Sequence, residues 1–178
     1  EPTEGMTVVE TMPQVQFVDS DKTGWYRITL DGECKVEAAD EDGAYYAKVT
    51  LDNLKRNAGG NQLPNLVIED WPDFGYRGFM LDISRNFTTK DNILKFIDLL
   101  AHYKASVFHL HFGDDEGWRL EIEKFPELTS FGAYHAFPSK DENGEYVETE
   151  GLIPSYNGGA DPEDMTSSAN GHLSKEDY

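Results

Sequence analysis

Cysteine is nearly absent. Cys34 stands alone among 178 residues, which excludes an internal disulfide and a cysteine-based zinc site. Long apolar runs are missing too: none approaches the roughly 20 residues of a membrane helix. No basic start followed by an apolar stretch marks an export signal. Cationic side chains are scarce, with 15 Lys and Arg against 34 Asp and Glu and a formal net charge of -19. Residues 139–178 hold only Lys140 and Lys175 against ten acids. A surface this acidic repels phosphate, so nucleic acid and anionic membranes are excluded as partners. A neutral ligand such as a sugar is not excluded, and the plain role of the charge is solubility. No internal repeat is visible.

What is present is a chain long enough for one domain with a sizeable core, with 12% aromatics, too many for a disordered segment. Residues 1–24 are polar and weakly patterned. WYRITL at 25–30 alternates as a strand does, Asp31-Gly32 signals a tight turn, and 33–39 is the returning strand. Behind Asp40-Glu41-Asp42-Gly43, residues 44–55 are predicted helical. Residues 57–64 form a Gly- and Asn-rich loop and 65–69 a short strand. Trp71-Pro72 forces an extended or turning backbone, and the domain boundary belongs to this region.

Beyond it, GFMLDIS at 78–84 reads as a largely buried strand. Thr88 stands three residues before Asp91, the spacing of a capping box. The helix it opens carries Ile93, Phe96, Ile97, Leu100 and Ala101 on one core-facing stripe and ends near Lys104. SVFHLHF at 106–112 is apolar or aromatic on both faces, as a covered parallel strand is. Strand, helix and strand make a right-handed βαβ unit. Residues 113–171 show no core element, and a stretch that long inside a domain is functional or disordered. Ser174-Lys175-Glu176-Asp177 reads as a second helix start, and the sequence stops inside it, as expected of a piece of a longer protein.

Two spots carry chemistry. Asp82-Ile83-Ser84-Arg85 ends the first strand of the unit, and His109 through Asp114-Asp115-Glu116-Gly117-Trp118-Arg119 ends the second. Ligands of α/β folds sit beyond the carboxyl ends of the strands, and neighbouring strands lie roughly 5 Å apart. An arginine, three acids and a tryptophan at one mouth suit a polyhydroxylated ligand, through charged hydrogen bonds and an apolar ring face. Plainer readings stay open. Arg85 pairs with a neighbouring acid, or Asp114, Asp115 and Glu116 form a solvated turn. Calcium lacks its alternating acid pattern. His109 and His111 share a strand face, where they are packed or hydrogen-bonded, or ligate zinc with a third ligand not evident.

These residues resemble a known family. Asp70-Trp71-Pro72-Asp73-Phe74, Tyr76-Arg77-Gly78 and Leu81-Asp82-Ile83-Ser84-Arg85 are similar to the opening of the catalytic barrel of family 20 glycoside hydrolases. So is the run from His109 through Asp114-Asp115-Glu116-Gly117-Trp118-Arg119 to Phe125-Pro126-Glu127-Leu128-Thr129. Residues 25–54 resemble the end of the domain before that barrel. Ser174 to Tyr178 resembles the start of its second helix, and Leu152-Ile153-Pro154 with Gly158 to Pro162 an insert of chitobiase-like members. The resemblance implies an α/β fold: residues 1–64 are the C-terminal part of a small α+β domain, and 65–178 the N-terminal part of a (β/α)8 TIM barrel.

It implies a β-N-acetylhexosaminidase that removes terminal N-acetylglucosamine or N-acetylgalactosamine by substrate-assisted retaining catalysis, without metal or cofactor. Its partner is an amino-sugar-containing glycan, and its place is outside a bacterial cytoplasm. Arg85 would bind hydroxyls of the terminal sugar. Asp114 would support a relay to a histidine and an acid glutamate outside these residues. Asp115 and Trp118 are weaker site candidates. The family's Asp-Glu pair follows its fourth barrel strand and is not among residues 1–178, and Glu116 does not take its place. The chain alone is therefore expected to be inactive, and its exposed barrel edges mean either that it is one part of a processed or trimmed protein, the favoured reading, or that it pairs with copies of itself. The competing reading is a sugar-binding or interaction module without chemistry; a calcium-dependent adhesion domain rests on composition alone.

Overall fold

A computed structural model of the protein describes residues 2–136, 139–147, 153–154 and 170–178. It has two compact units, Glu1–Arg77 and Gly78–Tyr178. The first begins with strands β1 (Pro2–Val8), β2 (Val15–Phe17), β3 (Tyr26–Leu30) and β4 (Cys34–Ala38), followed by helix α1 (Glu41–Ala58) and strand β5 (Gln62–Asp70). They form one sheet in the order β1-β5-β3-β4-β2. β3 and β4 are the predicted hairpin, with Tyr26 opposite Ala38, Leu30 opposite Cys34, and Gly32 at φ 73 in the turn. Tyr26, Ile28 and Leu30 alternate onto the inner face, where they pack with Val36, Ala38, Leu63 and, from α1, Tyr46, Ala47 and Leu51. Each fully buried aliphatic side chain contributes about 1.5–3 kcal/mol.

Local chemistry fixes where α1 starts and stops. Asp40 is its N-cap: Oδ1 accepts from the Gly43 N–H and Oδ2 from the Gly24 N–H, both at 2.8 Å. Glu41 and Asp42 sit at the positive end of the helix dipole, Lys55 and Arg56 at the negative end. Gly59, at φ 69, turns the chain out. The start lies close against the sheet: a Cβ on Gly43 would stand 2.2 Å from the Trp25 carbonyl oxygen.

Two expectations need correction here. Residues 1–24, which show no clear pattern, supply β1 and β2. The signal is hidden because a polar residue occupies a core position: Thr7 is fully buried, with Oγ1 donating to Asn65 Oδ1 at 2.6 Å and accepting from the Gly32 N–H. The strand expected at 65–69 is longer and belongs to this first sheet, so a boundary at 64/65 falls inside β5. Pro64 made the segment read as a loop. It is tolerated because only β1 flanks β5 there, whereas β3 pairs from Leu66 onward.

In the second unit, strands β6 (Gly78–Asp82) and β7 (Val107–His111) are parallel and in register from Gly78 opposite Val107 to Asp82 opposite His111. Helix α2 (Lys90–His102) connects them, which is the βαβ unit read from the sequence. The Phe96 ring packs 4.8 Å from that of Phe79 and 6.1 Å from that of Phe108. α2 ends with Lys104 at φ 57, where the Lys104 and Ala105 N–H groups bond Ala101 O and Leu100 O. The capping box is not formed: Thr89 is the N-cap without a side-chain bond, and Thr88 Oγ1 instead accepts from Asn92 Nδ2. β6 is not largely buried either. Phe79 and Met80 are half exposed, because among the described residues β6 pairs with β7 alone.

Residues 113–136, expected to lack core elements, are packed. A short hairpin joins β8 (Gly113–Asp114) to β9 (Gly117–Trp118), and α3 (Glu127–Ser130) follows. Arg119, Thr129, Ala133 and His135 are buried. Leu120 bridges Leu173, which joins the cluster of Ile83 and Ile93. At Ser174–Asp177 the Asp177 carboxylate accepts from the Ser174 N–H and hydroxyl, making a single turn. The insert residues 155–169 lie outside the described residues. No helix among the described residues is long and apolar enough to cross a membrane.

Candidate functional site

The parallel register places Asp82 beside His111 at the carboxyl ends of β6 and β7. Asp82 turns back on its own loop: Oδ1 accepts the N–H groups of Ser84 (2.9 Å) and Arg85 (3.2 Å), and Oδ2 accepts from Arg85 Nη1 at 2.8 Å. The Arg85 fork then reaches across to β8, where Nη2 meets Asp114 Oδ2 at 2.7 Å. His111 Nε2 lies 2.8 Å from the same Asp114 oxygen and 3.3 Å from Arg85 Nη1. The shorter distance favours the tautomer in which Nε2–H donates to Asp114. The two readings of Arg85 are thus not exclusive. It pairs with two acids, yet its Nε–H and one Nη2 N–H have no hydrogen-bond partner among the described residues, and its side chain is 34% exposed.

These contacts set the charges. The Asp115 N–H first, and then His111, push Asp114 down to about 2, with Arg85 adding to the effect. Burial works to raise Asp82, but the bonds from Arg85 and the Ser84 N–H hold it below the usual carboxylate range. The bond to Asp82 raises Arg85 further. Asp115 is raised, first by its hydrogen bond with Asp114 and next by burial. Asp82 and Asp114 are therefore ionised at neutral pH and cannot deliver a proton there. Their chemistry is to hold a cation and to accept hydrogen bonds.

The other candidates fall differently. Asp115 stands at the rim, 3.9 Å from Arg85 and 82% exposed. Trp118 is engaged elsewhere: Nε1 donates to Leu120 O, and its ring meets Phe112 edge-on at 5.4 Å. It also covers Gly113, whose Cβ would stand 2.8 Å from the indole. The rings of His109 and His111 are 6.2 Å apart, and His111 is bonded to Asp114. Among the described residues no three His, Cys, Asp or Glu side chains form a group able to hold a metal ion.

Sequence reasoning missed the residue that organises this end of the unit. Arg119 is fully buried. Its Nε donates to Ile83 O (2.9 Å) and Ser84 O (3.2 Å), and Nη2 donates to Ser84 O (2.7 Å). Nη1 donates to Ala133 O (2.5 Å) and Gly171 O (3.0 Å), while Nη2 also lies 2.8 Å from His135 Nε2. Burial pushes its guanidinium down to about 10, still charged at neutral pH. Ser84 Oγ, also buried, donates to Gly117 O at 2.7 Å. The only signal in the sequence was the glycine before Trp118: a Cβ on Gly117 would stand 3.0 Å from both Arg119 Nη2 and Ser84 O.

Comparison with known proteins follows the same division. Residues 5–71 match the model of glycosyl hydrolase family 20, domain 2, and residues 74–177 match that of the glycosyl hydrolase family 20 catalytic domain. The N,N'-diacetylchitobiase of Vibrio harveyi is 39% identical over 158 residues, 88% of this chain and 17% of that protein. A β-hexosaminidase of Vibrio furnissii is 44% identical over 113 residues, 62% of this chain and 18% of that protein. Among solved structures, the GH20 exo-β-N-acetylglucosaminidase of Vibrio harveyi in complex with N-acetylglucosamine superposes with a TM-score of 0.69 at 32% identity, covering 92% of this chain and 23% of that one. The chain thus spans under a fifth of the length of these curated relatives. The strand–helix–strand unit of β6, α2 and β7 is the opening of the family's (β/α)8 barrel, and the five-stranded sheet with α1 is the end of the α+β domain before it. On sequence and fold alike, this chain belongs to glycosyl hydrolase family 20.

Proposed function

We propose that a protein carrying this chain with a complete barrel is a β-N-acetylhexosaminidase. It removes terminal, non-reducing N-acetylglucosamine or N-acetylgalactosamine from glycans. The observation behind this reading is Arg85, held between Asp82 and Asp114 at the carboxyl ends of two parallel strands with two donors uncommitted. A planar fork anchored on one side and open on the other binds vicinal hydroxyls of a sugar ring. Asp114, kept ionised, holds His111 and, through a histidine outside residues 1–178, supports the acid that protonates the leaving oxygen. In the substrate-assisted scheme the substrate's acetamide oxygen attacks the anomeric carbon as the glycosidic bond breaks. Water then opens the oxazoline with net retention. Asp115 and Trp118 contribute at most to the rim and to the packing beneath it.

The residues that polarise the acetamide and donate the proton lie outside residues 1–178, so this stretch by itself hydrolyses nothing. Alone, it also exposes the outer edges of β6 and β7 and self-associates. The whole enzyme acts on glycans outside the bacterial cytoplasm. Arg85→Ala in the whole enzyme should lower kcat/KM for a chromogenic N-acetylglucosaminide by about 10²–10³-fold, the scale of one lost transition-state donor. An unchanged value removes Arg85 from the sugar site. Turnover above a blank reaction by the pure 178-residue chain refutes its inactivity.

A further inference from the structure

Every backbone polar group leading into Arg85 is committed. The Ile83 N–H bonds His111 O, and the Ser84 and Arg85 N–H groups bond Asp82 Oδ1. The two remaining carbonyls, of Ile83 and Ser84, point at a single group, the Arg119 guanidinium. Arg119 is itself fixed at the main chain, donating N–H to Phe112 O and accepting from the Leu173 N–H. No carboxylate lies within ion-pairing distance of it among the described residues. A fully buried cation paired only with neutral groups is a costly arrangement. What it supplies is geometry: one rigid plane spans carbonyls from the loop after β6, from residue 133 and from residue 171.

We propose that Arg119 is a positioning residue for Arg85, a planar clamp that fixes the two peptide carbonyls before Arg85 and so sets where the Arg85 fork stands. The inference rests on Arg85 being the sugar-binding group of the proposed hexosaminidase. A lysine at 119 keeps the charge but gathers its three N–H donors on one nitrogen instead of spreading them over a planar fork, so it cannot hold Ile83 O, Ser84 O, Ala133 O and Gly171 O together.

The test is a double-mutant cycle in the complete enzyme, read as kcat/KM on a chromogenic N-acetylglucosaminide. Arg119→Lys should cost about 10–100-fold with Arg85 present, the scale of a small misplacement of a binding group. In an Arg85→Ala background it should cost less than about 2-fold, because the group it positions is gone. Gly117→Ala, which presses on both Arg119 Nη2 and Ser84 O, should show the same background dependence more mildly. It carries the cycle if Arg119→Lys does not accumulate as folded protein. Equal losses in both backgrounds overturn the clamp, since a merely structural role is indifferent to Arg85. Full activity of both Arg119→Lys and Gly117→Ala overturns it as well. If Arg85→Ala is itself harmless, the sugar-binding reading falls and takes the clamp with it; additive losses alongside a damaging Arg85→Ala remove the clamp alone.

Discussion

Gly43→Ala sets two effects of opposite sign against each other inside α1. Alanine is the better helix former by about 1 kcal/mol, so propensity alone predicts a more stable protein. The structure predicts the reverse. The new Cβ would stand 2.2 Å from Trp25 O, roughly 1 Å inside ordinary contact. Trp25 O cannot swing aside without losing its bond from the Ala39 N–H at 2.9 Å. The first turn of α1 must retreat instead. That strains the Asp40 cap, which bonds Gly43 and Gly24 at once and is worth about 1 kcal/mol. It also loosens Tyr46 and Ala47 against the sheet, an overpacking cost of about 1–3 kcal/mol. The steric side wins, with a net loss of about 2 kcal/mol. Urea unfolding followed by far-UV circular dichroism measures it, with Gly60→Ala as control, because a Cβ there meets nothing within 4 Å. An unchanged or raised midpoint for Gly43→Ala refutes the close seating of α1 on β3.

Three further outcomes are expected. Ser84→Ala leaves the buried Gly117 carbonyl without its hydroxyl partner and should cost about 1–3 kcal/mol in the same unfolding experiment; a loss below about 0.5 kcal/mol means that water replaces the hydroxyl. Asp114 has a folded pKa of about 2 against an ordinary 3.8, so its contribution to stability is complete above 3.8 and lost as pH falls through about 2. A carbon-detected NMR titration giving a midpoint at or above 3.8 contradicts the Asp115, His111 and Arg85 contacts. Gly59→Ala forces a side chain into the left-handed region and should cost about 1 kcal/mol, with Gly59→Asn costing less; equal stability of all three forms shows that the helix ends otherwise.

Legibility in the sequence followed the kind of force involved. Where apolar contacts build the element, pattern suffices: Tyr26, Ile28 and Leu30 alternate, and the Asp40-to-Gly59 punctuation brackets α1 within a few residues. The pairing of Arg85 with Asp114 could be foreseen because both sit at ends of adjacent strands. Where buried polar groups build the element, pattern fails. Thr7 hid β1, and the Arg119 hub hid the order in 113–136, because a buried cation among carbonyls looks like a surface residue in one dimension. His111 as the partner of Asp114 was missed for a related reason: either face of β7 suited a histidine until the register fixed it beside Asp82.

The reach of Arg119 bears on how this region acquires its structure. The guanidinium ties a carbonyl 36 residues upstream to one 52 residues downstream. Bonds between such distant points close large loops, and their entropy must be met before the contacts reward it. During synthesis β6, α2 and β7 emerge well before Gly171, so the Ile83 and Ser84 carbonyls meet Arg119 first and the tie from Arg119 to Gly171 O closes last. The carboxyl end of β6 and β7 is therefore the part completed last, after the hydrophobic scaffold of the unit is already in place.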